Sequence, residues 1–153
     1  MNTQKILMTM ASAALFAGVA VQVRAAPTAA DGQRILSKTG DCEMTVPADW
    51  KIDHSYQGSA DSPDKSASAL VTSPHTGFTL AQAKTIVEGS MKPVKVFADT
   101  PQRLWYQYQT DQGFGWYVGV PFKGGVCGTQ ISFDKAAQAD MAKQIALSIK
   151  ATQ

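Results

Sequence analysis

The feature that most constrains the fold is a set of three consecutive β-strand patterns between Arg103 and Phe133. Each pattern alternates aromatic or β-branched residues with small or polar ones, as half-buried strands do; the three segments are 103–110, 114–120 and 126–133. Turns that contain glycine separate them, at 111–113 and 123–125, where glycine supplies the positive φ that tight hairpins need. The sequence therefore predicts a three-stranded antiparallel meander, around which the other elements pack.

Four further strands and a helix are predicted before the meander. The strands are expected over 41–46, 50–56, 68–72 and 94–97, with a turn at Pro47 and a loop over 58–65. Thr79 and Gln82 have the spacing of a capping box, which predicts the start of a helix. Its apolar stripe comprises Leu80, Ala83, Val87 and Met91. Gly89 is the expected stop, and Pro93 prevents the helix from continuing.

A second helix is predicted after the meander, over 135–150, with Asp134 as its cap. Its apolar face comprises Ala137, Met141, Ile145 and Ile149, which recur every four residues. The order of strands and helices predicts an α+β fold. We expect a single-domain α/β/α sandwich with an antiparallel sheet and two main helices.

The N-terminal segment 1–25 has the three parts of a cleaved secretory signal peptide. Lys5 gives a positive start, 6–21 is apolar and uncharged, and Val23-Arg24-Ala25 suits cleavage after Ala25. Cleavage after Ala26 is the alternative. An uncleaved anchor is the other reading, but the apolar segment is shorter than the ~20 residues that span a bilayer. We expect a tether over 26–38 and a single domain over 39–153.

Removal of this signal leaves a neutral chain. Lys5 and Arg24 belong to the 14 basic residues, so 12 remain, equal to the 12 acidic residues. Nucleic-acid binding needs a basic patch or stripe, and the sequence has none. We therefore predict a periplasmic or secreted protein without a nucleic-acid partner and without a membrane span after processing.

The sequence contains two cysteines, Cys42 and Cys127. An even pair in a small exported domain predicts a disulfide, which persists in oxidising compartments. The short Cα separation of a disulfide would be natural if the first and last predicted strands are neighbours, and the bond would then tie the two ends of the sheet together. Two separate buried thiols, or a reactive thiol, are the alternatives. A zinc site that combines the cysteines with His54 and His75 is disfavoured, because the spacing contains no close ligand pair.

A family resemblance is carried by the segment Cys42–Lys51, which reads Cys-Glu-Met-Thr-Val-Pro-Ala-Asp-Trp-Lys. This strand-turn-strand with its Pro-x-x-Trp resembles the opening of PsbP-like proteins, which include extrinsic photosystem II subunits and bacterial periplasmic DcrB-like proteins. The predicted order of later elements is also similar. The resemblance implies an α/β/α sandwich with binding and accessory roles, and it supplies no catalytic residue. Many bacterial relatives are lipoproteins, whereas this chain lacks a lipidation cysteine.

Residues with catalytic chemistry are few and scattered. A hydrolase would combine His54 or His75 with a nucleophile and a carboxylate, but no Gly-x-Ser-x-Gly motif is present. The carboxylates Asp41, Glu43, Asp49 and Asp53 surround one predicted strand-turn-strand, which favours a solvated rim over an acid–base pair. No cofactor motif is present, and we predict no cofactor.

The aromatic residues of the meander are the remaining candidates for a binding site. Alternation places Trp105, Gln107 and Gln109 on one face of their strand, and we group Tyr117 of the next strand with them. These four residues form the predicted binding platform for a protein or small ligand of the cell envelope. The alternative is that a helix covers this face. A non-enzymatic binding or accessory domain is the preferred function, and a small periplasmic hydrolase or a structural envelope component are the alternatives.

Overall fold

Ten strands and two α-helices make up the part of the chain that the computed structural model describes, residues 32–53, 55, 58–72, 77–111 and 113–152. In chain order they are β1 (Gln33–Leu36), β2 (Cys42–Val46), β3 (Lys51–Asp53), β4 (Ser59–Asp61), β5 (Ala67–Thr72), α1 (Leu80–Met91), β6 (Pro93–Thr100), β7 (Arg103–Thr110), β8 (Gly113–Phe122), β9 (Gly125–Phe133), α2 (Ala139–Leu147) and β10 (Lys150–Ala151). A 3₁₀ turn at Ala136–Gln138 precedes α2.

The strands form two antiparallel sheets. The large sheet has seven strands in the order β3-β4-β5-β9-β8-β7-β6, and the small sheet has three in the order β1-β2-β10. The predicted meander is confirmed as β7, β8 and β9. Its hairpins close where Thr110 pairs with Gly113 and Phe122 with Gly125. The α+β fold class predicted from the sequence is confirmed.

Both faces of the large sheet are covered. On one face α1 packs against β7, β8 and β9; on the other face α2 packs against β8 and β9, and β2 packs against β5 and β9. The alternation of β8 separates the two cores. Trp116 and Val118 join the core with Ile145 of α2, whereas Tyr117 joins the core with Val87 of α1.

The start of α1 follows the prediction and its end does not. The Thr79 side chain accepts a hydrogen bond from the Gln82 backbone N–H at 3.3 Å, and the Gln82 Oε1 accepts one from the Thr79 N–H at 2.8 Å. This reciprocal pair satisfies two helix-end donors. Gly89 does not end the helix. The helix continues to Met91 and is capped by Lys92, whose φ of 49° is left-handed.

The final helix is shorter than predicted. The segment 135–150 was expected to be one helix, but α2 spans only Ala139–Leu147 and is followed by β10. Ser148 accounts for the ending, because its hydroxyl donates to the Ile145 carbonyl at 2.7 Å and accepts from the Thr45 N–H at 2.9 Å. The chain is thereby held against β2, where Lys150 pairs with Glu43.

Three short elements differ from the sequence prediction. The described end of the predicted tether contains β1, whose Ile35 is buried and pairs with Met44. The predicted loop over 58–65 contains β4, and the described part of the strand predicted over 50–56 forms β3 at Lys51–Asp53. These segments are short, so their pairing depends on neighbours that periodicity does not reveal.

The predicted disulfide between Cys42 and Cys127 is confirmed, with a Cα separation of 5.4 Å. Its expected setting was wrong. Cys42 lies in β2 of the small sheet and Cys127 in β9 of the large sheet, so the two strands are not neighbours in one sheet. The bond joins two stacked sheets across the core, and both cysteines are fully buried.

Trp50 closes the edge of this core. The backbone N–H of Trp50 donates to the Pro47 carbonyl at 3.1 Å, which forms the predicted tight turn. The residue is only 5% exposed. The predicted burial of Trp50 is confirmed. Neither helix in the described residues is long and apolar enough to span a membrane.

The disulfide is expected to carry a large share of the stability. It closes a loop with a sequence separation of 85 residues, for which the chain-entropy model gives about 4–5 kcal/mol. The double variant Cys42→Ala/Cys127→Ala should lower the free energy of unfolding by up to that amount in guanidinium melts monitored by circular dichroism. Thiol titration of the unreduced, denatured wild type provides the control. Two reactive thiols there would contradict the prediction.

The variant Trp50→Ala should lower the free energy of unfolding by about 3–5 kcal/mol, because truncation of a buried tryptophan removes apolar contacts and leaves a cavity. Denaturant melts measure the change. The matched control is Phe114→Ala, which truncates an aromatic ring that is 38% exposed. A loss below about 1 kcal/mol at Trp50 would show that the ring contributes little to the core.

Candidate binding sites

The register of β7 and β8 divides the four residues of the predicted platform between two faces. Trp105 pairs with Val118, and Gln107 pairs with Trp116, so these two platform residues lie on the α2 face. Tyr106 pairs with Tyr117, which places Tyr117 on the α1 face. Residues directly opposite each other in an antiparallel pair point to the same side of the sheet. The grouping of Tyr117 with Trp105, Gln107 and Gln109 was therefore wrong.

The α2 face remains partly open on its β6–β7 side. Trp105 and Gln107 are half-buried and Gln109 is exposed. Phe114 pairs with Gln109 on β8, and Phe97 reaches the same face from β6; both phenylalanines are 38% exposed. We call Phe97, Trp105, Gln107, Gln109 and Phe114 the aromatic strip. The helix that was expected as an alternative cover reaches only part of this face.

Phe97 reaches the strip through an irregular strand. The pairing of β6 with β7 shifts register between Pro93 and Lys95 and again between Val96 and Ala98. The second shift leaves Phe97 as an extra residue opposite β7, and such bulges redirect side chains. The Phe97 ring stacks on Trp105 with centroids 4.7 Å apart and lies 5.1 Å from Trp116. Strand alternation alone does not identify Phe97, because a bulge breaks the period of two.

Two lysines lie against these rings. The Lys95 Nζ is 4.7 Å from the centroid of Phe97, and the Lys143 Nζ from α2 is 5.3 Å from that of Trp105. Both distances lie within the range in which an aromatic face attracts a cation. Lys143 therefore helps α2 to hold the Trp105 ring in place, and the strip has a positively charged border.

The indole N–H groups of Trp105 and Trp116 are buried and have no hydrogen-bond partner among the described residues. An unpaired buried donor costs about 1–3 kcal/mol relative to a paired one. Neither tryptophan is therefore anchored by its polar atom. Both side chains are held by packing against the core and by ring contacts, including a Trp105–Trp116 centroid distance of 5.9 Å.

The α1 face contains an apolar cavity of about 210 Å³ beside Tyr117. Gly119 and Gly128 pair directly across β8 and β9 and leave room for the Tyr117 ring, and Gly128 also lines the cavity. The Tyr117 ring lies over this pair, with its Oη 3.1 Å from the position that a Cβ would take at either glycine. Burial, with a smaller contribution from Tyr106, raises the pKa of Tyr117 to about 12. The hydroxyl is therefore neutral at physiological pH.

A larger cleft of about 360 Å³ lies at one end of the large sheet, and hydroxyl and carboxylate groups line much of it. Beside it, Asp64 accepts hydrogen bonds from Lys135 at 2.7 Å, from the Ser66 hydroxyl at 2.6 Å and from the Ser62 hydroxyl at 2.9 Å. These bonds, led by that from Lys135, hold the pKa of Asp64 well below its ordinary value. The carboxylate is thus engaged in fixing its own turn.

The other candidate residues do not assemble into a described site. His54 and His75 lie outside the described residues, so the hydrolase hypothesis stays untested. A zinc site that includes the cysteines is excluded, because both sulfur atoms form the disulfide. Glu43 is not on a solvated rim as expected: it is buried and paired with Arg34 and with Lys150 at 3.1 Å, which joins the three strands of the small sheet.

Tyr117 should make the stability depend on alkaline pH. Its pKa is raised from 10.0 to about 12 in the folded chain, so the unfolded chain loses this proton first as the pH rises. The contribution of Tyr117 to the free energy of unfolding is fully present below pH 10 and should be lost between pH 10 and about 12. Urea melts across this range should show a shallower fall for Tyr117→Phe than for the wild type. Tyr106 and Tyr108, whose pKa values are also raised, remain in both proteins and contribute equally to the fall. An equally steep fall in the two proteins would therefore contradict the raised pKa of Tyr117.

Comparison with known proteins gives limited similarity. No protein-family model and no curated protein matches the chain. A crystal structure from Bacteroides thetaiotaomicron VPI-5482 is similar at 12% identity and a TM-score of 0.49, over 80% of this chain and 49% of that one. The chain thus spans about half the length of that protein. The solution structure of cyanobacterial PsbP (CyanoP) from Synechocystis sp. PCC 6803 is similar at 13% identity and a TM-score of 0.47, over 88% and 99% of the two chains. Similarity of this size establishes neither a family nor a function.

Proposed function

We propose that the chain is an exported, non-enzymatic accessory domain that binds a partner protein of the cell envelope through the aromatic strip. The observation that carries this proposal is the position of Phe97. A bulge directs this exposed ring onto Trp105, at the part of the large sheet that α2 leaves open. A ring that served only to fill the core would gain more from full burial.

The strip has the composition of a protein interface. Aromatic residues are enriched at the centres of such interfaces and supply much of their binding energy, and a polar rim surrounds them. Here the rim contains Gln107, Gln109 and the two lysines that contact the rings. The stacking of Phe97 on Trp105 fixes the rings before a partner arrives, which lowers the entropy lost on binding.

Export is supported by two features of the chain. Residues 1–25 have the pattern of a cleaved signal peptide. The disulfide between Cys42 and Cys127 fits an oxidising compartment such as the periplasm or the extracellular space. The resemblance of Cys42–Lys51 to PsbP-like and DcrB-like proteins agrees with an accessory role and stays a prediction.

Site-specific photocrosslinking tests the binding surface. A benzophenone amino acid at Gln109, which is exposed on the strip, should crosslink a defined envelope protein in cells. The same probe at Gln144, an exposed residue of α2, is the matched control. Phe97→Ala should abolish the Gln109 crosslink. Leu36→Ala, which also truncates an exposed apolar residue, should preserve it. Identical products from both probe positions, or a crosslink that survives Phe97→Ala, would refute the proposal.

Signal processing gives a separate test of export. Mass spectrometry of the protein from the envelope fraction should find an N-terminus at Ala26 or Pro27, because Val23-Arg24-Ala25 suits cleavage. An envelope protein that retains Met1 would contradict the cleaved signal. The crosslinking test of the strip would be unaffected by that result.

A further inference from the structure

We propose that the cavity between α1 and the large sheet binds a neutral, mainly apolar small molecule that carries one hydrogen-bonding oxygen. The cavity lies on the α1 face and is therefore separate from the aromatic strip on the α2 face. It is lined by residues of β5, α1, β8 and β9 and of the segment before α1: Thr72, Phe78, Ala83, Ile86, Val87, Met91, Tyr117, Val126, Gly128 and Gln130.

The cavity is a consequence of small residues on both of its walls. Gly128 contributes no side chain from the sheet, and Ala83 contributes one methyl group from α1. The Tyr117 ring fills the space over Gly119 but does not extend across the whole gap. Apolar side chains form most of the remaining surface, as in the pockets that bind small ligands.

Two hydroxyl groups converge at one end of the cavity. The position that a Cβ would take at Gly128 lies 3.1 Å from the Tyr117 Oη and 2.3 Å from the Thr72 Oγ1. Gln130 follows two residues later on β9, on the same face of the sheet. This end of the cavity can therefore donate a hydrogen bond to, or accept one from, an oxygen atom of the ligand.

Charge and volume define the class of ligand. None of the ten described residues that line the cavity carries a charge, which disfavours an ionised ligand in an apolar site. An apolar cavity of about 150 Å³ accepts benzene. The cavity of about 210 Å³ accordingly has room for about eight non-hydrogen atoms. Ile86, which is 56% exposed, marks the entrance from solvent.

Three probes of similar size distinguish the parts of this proposal: benzyl alcohol, toluene and benzoate. In ¹⁵N-NMR titrations, benzyl alcohol and toluene should shift amide signals of α1 and β9 saturably. Benzoate, the charged probe, should leave those signals unchanged. Absence of saturable shifts with benzyl alcohol and toluene, or equal binding of benzoate, would overturn the proposal.

Two pairs of variants test the residues. Tyr117→Phe should weaken benzyl alcohol binding by about 2- to 10-fold through loss of one hydrogen bond, and should leave toluene binding unchanged. Ala83→Leu should fill the cavity and abolish binding of both probes. Ala81→Leu, on the exposed side of the same helix, should bind as the wild type does. Thermal melts establish that each variant is folded.

If Ala83→Leu does not fold, the comparison of Tyr117→Phe with the wild type decides the outcome. That variant removes only one oxygen atom. An equal loss of affinity for benzyl alcohol and toluene, or no loss for either, would contradict the proposed hydrogen bond and show that the probes bind elsewhere. A folded Ala83→Leu variant that binds both probes normally would do the same.

Discussion

The structure depends on the burial of both faces of the large sheet. β8 supplies residues to both cores in alternation, with Trp116 and Val118 facing α2 and Tyr117 facing α1. A strand of this kind cannot shift by one residue, because the shift would exchange the two sets of side chains between cores of different shape. The positions of α1, α2 and the small sheet follow from that register.

Coverage of both faces also limits where the molecule can bind other molecules. A covered sheet offers a site only where a cover ends or where it fits imperfectly. The aromatic strip is a place of the first kind, because α2 packs mainly on β8 and β9 and leaves Phe97 and Gln109 accessible. The cavity beside Tyr117 is of the second kind, because Gly128 of the sheet and Ala83 of α1 leave space between these two layers.

The features that the sequence predicted are those encoded by neighbouring residues. The meander, the capping box at Thr79 and the burial of Trp50 each depend on a local pattern of spacing and residue type. The face on which Tyr117 lies depends instead on the register between two strands, which alternation within one strand does not contain. Phe97 was missed because a bulge adds a residue and cancels the alternation. The strand β2 was predicted, but the small sheet was missed because its outer strands, β1 and β10, come from opposite ends of the domain and are too short to show a period.

The small sheet has a consequence for the order of folding. In its central strand, β2, the backbone N–H of Thr45 donates a hydrogen bond to the Ser148 hydroxyl, at a sequence separation of 103 residues. The same strand pairs with β10. The entropy lost in closing so long a loop must be offset before these contacts form. The pairing of β10 with β2 therefore forms only after residues near Lys150 have been synthesised, whereas β1 and β2 are close enough in sequence to pair earlier. Until residues 139–151 have been synthesised, a growing chain has neither α2 nor β10 to cover this side of the large sheet.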